Sequence, residues 1–134
     1  MVPFKVRLNP GESIFEQVCF AATRAILAGE LKPGETFPSV RSLATALKIH
    51  PNTAHKVVQY LVQERWLTVK PGLGTLVAPP PKARSGDRKR LLHDDVEKLV
   101  VEAIRVGASL DDVLAAVAEQ WQRLQGLKAV SNDH

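Results

Sequence analysis

Three short motifs in a fixed order constrain this chain most: Pro38-Ser39-Val40-Arg41-Ser42-Leu43-Ala44, Pro51-Asn52-Thr53 and Pro71-Gly72-Leu73-Gly74-Thr75. Ser39 reads as a helix cap, and Leu43, Ala44 and Leu47 after it fall on one helical face. That helix is short, about two turns. Pro51 suits the first position of a second helix, where its missing N–H does no harm. Ala54, Val57, Val58 and Leu61 form the apolar stripe of that second helix and leave Asn52, Thr53, His55, Lys56 and Gln59 outside. Between the two helices, Lys48-Ile49-His50 is a corner with Ile49 as its buried pivot. Leu67-Thr68-Val69-Lys70 and Thr75-Leu76-Val77 then alternate as strands about a turn rich in glycine. This order suits a module that sets one helix into a DNA groove and lays a β-wing beside it.

The flanks are equally marked. Ser13 and Glu16 have capping-box spacing, and Ile14, Val18, Ala21, Ala22, Ala25 and Ile26 follow at helical intervals as far as Gly29. Glu30 to Glu35 reads as a turn. After Pro79-Pro80-Pro81 comes a basic linker, Lys82 to Arg90. Two further helices follow. Leu92, Val96, Leu99, Val100, Ala103 and Ile104 form the stripe of the first, which stops near Gly107. Leu110, Val113, Leu114, Val117, Ala118, Trp121 and Leu124 form the stripe of the second, which starts from Ser109, with Asp111 and Asp112 complementing the helix dipole. Two helices of this length cannot bury such stripes against each other alone. An αα-hairpin meeting its own copy would make a four-helix bundle, which points to a homodimer.

Composition narrows the function classes. An apolar fraction of 45% supports a packed core. The single cysteine, Cys19, excludes an internal disulfide and reads as an inert buried thiol. No apolar run is long enough to span a bilayer and the first residues lack a signal-peptide core, so the expectation is a cytoplasmic protein with no membrane partner. Residues 1–78 carry nine Lys/Arg and five Asp/Glu, residues 79–90 five and one, and residues 91–134 four and eight. The front and middle are therefore basic, as a phosphate-binding surface requires, and the rear is acidic. There is no Ser/His/Asp set, no phosphate loop ending in Gly-Lys-Ser/Thr and no zinc-ligand spacing. The chain reads as a non-enzyme with no cofactor and no metal.

Residues 13–77 resemble the winged helix-turn-helix domain of the GntR superfamily of bacterial transcription regulators. The likeness is carried by Gly29-Glu30-Leu31-Lys32-Pro33-Gly34, Pro38-Ser39-Val40-Arg41-Ser42-Leu43-Ala44, Asn52-Thr53 and Gly72-Leu73-Gly74-Thr75. The short tail of two helices, and the wording Pro51-Asn52-Thr53, are similar to the YtrA subfamily. The resemblance implies that Arg41 contacts DNA from the helix capped by Ser39. It places His50, Pro51, Asn52, Thr53, His55 and Lys56 on the recognition helix and its N-terminal end. It makes Gly72, Gly74 and Thr75 the wing. An Asn can pair adenine bidentately, and a Thr can bond phosphate or touch a thymine methyl. Lys48 and Arg65 stand where the family commonly has glycine, and Leu73 where it often has arginine. The resemblance also implies a homodimeric repressor on an inverted-repeat operator, controlling a transporter operon. The effector is unknown, and the tail is too short to enclose a pocket within one protomer.

The expected fold is mainly α with a small β-hairpin. Residues 1–78 form the winged helix-turn-helix domain, 79–91 the Pro-rich basic linker, 92–126 the helical dimerisation region and 127–134 a flexible tail. Leu92, Val96, Leu99, Val100, Ala103, Leu110, Val113, Leu114, Val117 and Trp121 are the expected dimer contacts. The competing function is a winged helix that docks proteins and binds no DNA, since a fold does not dictate its use.

Overall fold

Helix α1 spans Ile14–Leu27, and it starts where a side chain can satisfy its free N–H groups: the Ser13 hydroxyl accepts the Glu16 N–H at 3.2 Å. The structure is a computed structural model that describes residues 2–132, with side chains described through residue 126. After α1 come α2 (Val40–Leu47), α3 (Pro51–Gln63), β1 (Leu67–Lys70) and β2 (Gly74–Val77). A helical run follows as α4 (Asp87–Arg90), a π-helical segment (Leu91–Asp95) and α5 (Val96–Val106). The last element is α6 (Leu110–Asn132). The mainly helical fold with one hairpin is as the sequence predicts. Two compact units form, one over the residues up to Pro81 and one over Lys82–Gly126.

The first unit holds the core. Val18, Ala22, Ala25 and Ile26 of α1 meet Leu43 and Ala44 of α2, Ala54, Val57 and Leu61 of α3, and Leu67 and Val77 of the strands. β1 and β2 pair antiparallel with Leu67 opposite Val77 and Lys70 opposite Gly74. At the tip, the Leu73 N–H donates to the Lys70 carbonyl at 3.0 Å. Pro71 and Gly72 (φ 80°) occupy the middle of that turn, the arrangement of a type II turn.

The hairpin is not alone. Segment 34–37, which sequence reasoning treats as the end of a turn and the approach to α2, lies along the outer edge of β2. The Gly34 N–H donates to the Val77 carbonyl, the Val77 N–H to the Glu35 carbonyl and the Phe37 N–H to the Thr75 carbonyl, each at 2.8 Å. Thr36 bridges Leu76. Phe37 is thereby buried and stacks on Phe4 at 5.6 Å between ring centroids. The N-terminal arm that delivers Phe4 is tied to α1, because the Asn9 N–H donates to Gln17 Oε1 at 2.6 Å.

Four helices end in the same way. After α1, α2, α3 and α5, one residue turns left-handed and the next N–H reaches back five residues: Glu30 to Ala25, Ile49 to Ala44, Trp66 to Leu61 and Ala108 to Ala103. This is the Schellman closure, which glycine favours. Gly29 and Gly107 supply it after α1 and α5, but Lys48 (φ 56°) and Arg65 (φ 68°) supply it after α2 and α3. The two departures from the family's glycines thus keep the glycine conformation.

The only cysteine, Cys19, is buried in this core. Burial, helped by the charge of Glu16, pushes its thiol up to about 11, so it stays protonated and unreactive near neutral pH.

In the second unit, α6 opens with a reciprocal capping box. The Asp112 N–H donates to the Ser109 hydroxyl at 3.0 Å, and the Ser109 N–H donates to the Asp112 carboxylate at 2.9 Å. Those bonds hold the Asp112 carboxyl below its usual range. Two boundaries differ from expectation. Residues 87–91, assigned to the linker, are helical: the Asp87 carboxylate accepts the Arg84 N–H at 2.7 Å across the turn that leads into the helix, a short-range bond that apolar periodicity does not register. α6 also runs past residue 126 to Asn132, while the side chains of 127–134, expected as a flexible tail, lie outside the described residues.

Lys48→Gly should stabilise the chain by about 0.5–1 kcal/mol. Left-handed strain of ~1–2 kcal/mol is relieved, and the extra unfolded-state freedom of glycine, ~0.5–1 kcal/mol, is subtracted. A higher urea midpoint at unchanged m-value is the expected reading.

Candidate nucleic-acid interface

The N-terminal end of α3 is built from the corner outward. Lys48 turns the chain, Ile49 anchors it in the core, and His50 caps the new helix. The cap is made by an imidazole: His50 Nδ1 accepts the Asn52 N–H at 3.0 Å. With Nδ1 occupied as an acceptor, the proton of the neutral ring lies on Nε2. Sequence reasoning puts His50 at the cap position, and the nitrogen that does the capping emerges only from the fold.

The inner side of α3 is closed by Ala54, Val57 and Leu61, all fully buried. The opposite side carries Asn52, His55, Lys56 and Gln59, all exposed and spaced to share one outward face. Thr53 is half-buried at the edge of that face, and Pro51 is exposed at the first helical position. Gln59 completes the surface without having been assigned a contact, although its place seven residues after Asn52 marks it. Arg41 is exposed in the first turn of α2.

The wing residues lie on the hairpin. Gly72 and Gly74 are exposed, with φ of 80° and 92°, and a Cβ built on either would meet nothing within 4 Å. The backbone shape therefore requires glycine there, and packing does not. Leu73 stands exposed between them. Thr75 is half-buried, and its carbonyl is committed to Phe37.

The charge pattern here is one that a segment-by-segment count misses. From Thr36 to Gln63 the chain has no Asp or Glu, while Arg41, Lys48 and Lys56 fall within it. The first turns of α2 and α3 hold no acidic side chain, whereas those of α1, α5 and α6 do. Helix N-termini attract negative charge, and proteins usually supply it from their own side chains. Here neither helix start carries such a side chain.

Among the described residues, no three His, Cys, Asp or Glu side chains gather to hold a metal ion. No helix among the described residues is long and apolar enough to cross a membrane. In the second unit, Leu92, Val96, Leu99, Val100, Leu110, Leu114, Val117 and Trp121 are all exposed, while Ala103 and Val113 are half-buried.

Comparisons with known proteins bear on this surface. Residues 15–77 match the model of the bacterial regulatory proteins, gntR family. Over 126 residues the chain is 29% identical to the HTH-type transcriptional repressor YtrA of Bacillus subtilis (strain 168), covering 92% of this chain and 97% of that protein. A transcriptional antiterminator from Listeria monocytogenes EGD-e shares the fold, with a TM-score of 0.74 at 21% identity over 90% of this chain and 91% of that one. YtrA from Sulfolobus acidocaldarius, a GntR-family transcription factor, superposes with a TM-score of 0.50 at 25% identity, covering 90% and 98%.

His50→Ala should cost about 1 kcal/mol of stability through loss of the α3 cap. Chemical denaturation would read this, and His50→Asn, which restores a cap acceptor, should recover most of it.

Proposed function

We propose that this chain, a DNA-binding transcriptional regulator of the gntR family through residues 15–77, acts as a homodimeric repressor on an inverted-repeat operator. The observation that carries the reading is the outward face of α3. It presents amide, imidazole and ammonium groups, holds no carboxylate and ends at an N-terminus open to phosphate. In this reading α3 enters the major groove. Asn52 pairs a base edge, Thr53 and Lys56 hold phosphate, His50 and His55 flank them, and Arg41 adds a contact from α2. Gly72, Gly74 and Thr75 bring the wing backbone close to the neighbouring groove or strand.

Dimerisation is supported by the apolar side chains that the second unit leaves in water. Leu99 is 46% exposed, Leu114 56% and Trp121 67%, and α5 buries no residue at all. Exposed apolar area on this scale marks an association surface. A second copy covers it without a further partner, since a two-helix hairpin and its mate complete a four-helix bundle. Two-fold symmetry then sets two α3 helices on half-sites about one helical turn apart. Control of a neighbouring transporter operon is the target that the family resemblance suggests, and cytoplasmic residence follows from that role.

Arg41→Ala should weaken binding to an operator selected from random DNA by about 1–3 kcal/mol, read by fluorescence anisotropy. Unchanged affinity would remove Arg41 from the interface. Leu99→Asp with Leu114→Asp should yield monomers by sedimentation. A doubly substituted chain that still sediments as a dimer would refute the assignment of this face.

A further inference from the structure

Residues 79–90 carry five Lys/Arg and a single acid, Asp87. That acid is engaged locally: its carboxylate accepts the Arg84 N–H at 2.7 Å and pairs with Arg90 at 3.3 Å. Lys82, Arg88 and Lys89 are exposed, and no ion pair among the described residues involves them. α4 and the π-helical segment after it bring Lys89, Arg90 and His93 together. With Gly86 and Asp94 they line an open depression of about 210 Å³, in which Asp94 lies 3.7 Å from His93 Nδ1. Past His93 the chain turns acidic. Lys82, Arg88 and Lys89 are thus gathered in one stretch, the last two on a helix, with no carboxylate partner among the described residues.

From these features we infer that the cationic run from Lys82 to His93 is a second, sequence-independent DNA contact, gripping phosphates outside the groove segment read by α3. The inference rests on the DNA-binding reading above and extends it to residues outside the winged helix. Chain connectivity makes it feasible. Lys82 lies five positions after Val77 at the end of the wing, so their Cα atoms lie within ~18 Å of each other whatever path the prolines take. That reach exceeds the ≈ 12 Å width of a major groove, so a phosphate strand beside the wing is accessible. Helical cations also lose less freedom on binding than those of a slack tether, which favours a grip over mere solvation.

The test is the salt dependence of binding by the full chain to a mixed-sequence duplex of several helical turns, between about 50 mM and 200 mM salt. Each neutralised phosphate contributes ~0.9 to the slope of log K against log salt. Lys82→Gln with Arg88→Gln and Lys89→Gln should therefore lower the slope by about two to three and weaken binding on the order of 10²-fold at 0.1 M salt. A charge-matched variant, Lys98→Gln with Arg105→Gln and Arg123→Gln on α5 and α6, should keep the wild-type slope. The inference is overturned if the first variant keeps that slope, or if the matched variant loses as much, which would make net charge the cause. It is equally overturned if the first variant loses binding only to mixed phosphatidylcholine–phosphatidylglycerol vesicles. A wild-type chain that ignores the duplex at low salt refutes the DNA-binding reading itself, a result distinct from an unchanged slope in a chain that binds.

Discussion

The backbone pairing of segment 34–37 with the outer edge of β2 holds the hairpin and the start of α2 in one frame. A two-stranded hairpin is marginal by itself in water. Here β2 is paired on both sides, by β1 and by the stretch that ends at Phe37. Ser39, the cap of α2, follows two residues later. The wing and the start of α2 are therefore joined by hydrogen bonds rather than by a loop, and neither can swing without breaking them. Phe37 seals the joint in the core, and Phe4 stacks on it from the N-terminal arm.

The same economy governs α3. Its two ends are set by left-handed residues, Lys48 before it and Arg65 after it, in place of the glycine that would adopt this shape without strain. Such conformations persist only where their surroundings over-determine them. Ala54, Val57 and Leu61 provide that constraint from the inner side of the helix, and Ile49 and the half-buried Trp66 pin the closures. Strain at the corners is thus the counterpart of a helix whose outer face carries no packing duty and can be given over to recognition.

Charge is partitioned to match. The stretch from Thr36 to Gln63 is free of acids, the run from Lys82 to Arg90 is basic, and residues 91–134 are acidic. Like charge repels DNA, so the acidic helices are unsuited to a phosphate contact. Their exposed surface is apolar where it is not charged, which is what association between copies uses.

Much of this was readable from residues alone. Ser13, Ser39 and Ser109 as caps, Pro51 as a first helical residue, Gly29 and Gly107 as closures, and the turn at Pro71-Gly72 are short-range matters. Each depends on hydrogen bonds or φ preferences spanning a few residues, so the amino acids specify them wherever the chain goes. The outward placement of Asn52, His55 and Lys56 followed from helical period, once Ala54, Val57 and Leu61 were seen to be apolar. Tertiary structure decided the rest. Segment 34–37 has no strand-like alternation, and only the arrival of β2, some forty residues later, gives its backbone partners. Phe4 is an isolated aromatic in a non-periodic arm, and its burial depends on stacking against Phe37, a partner far along the chain.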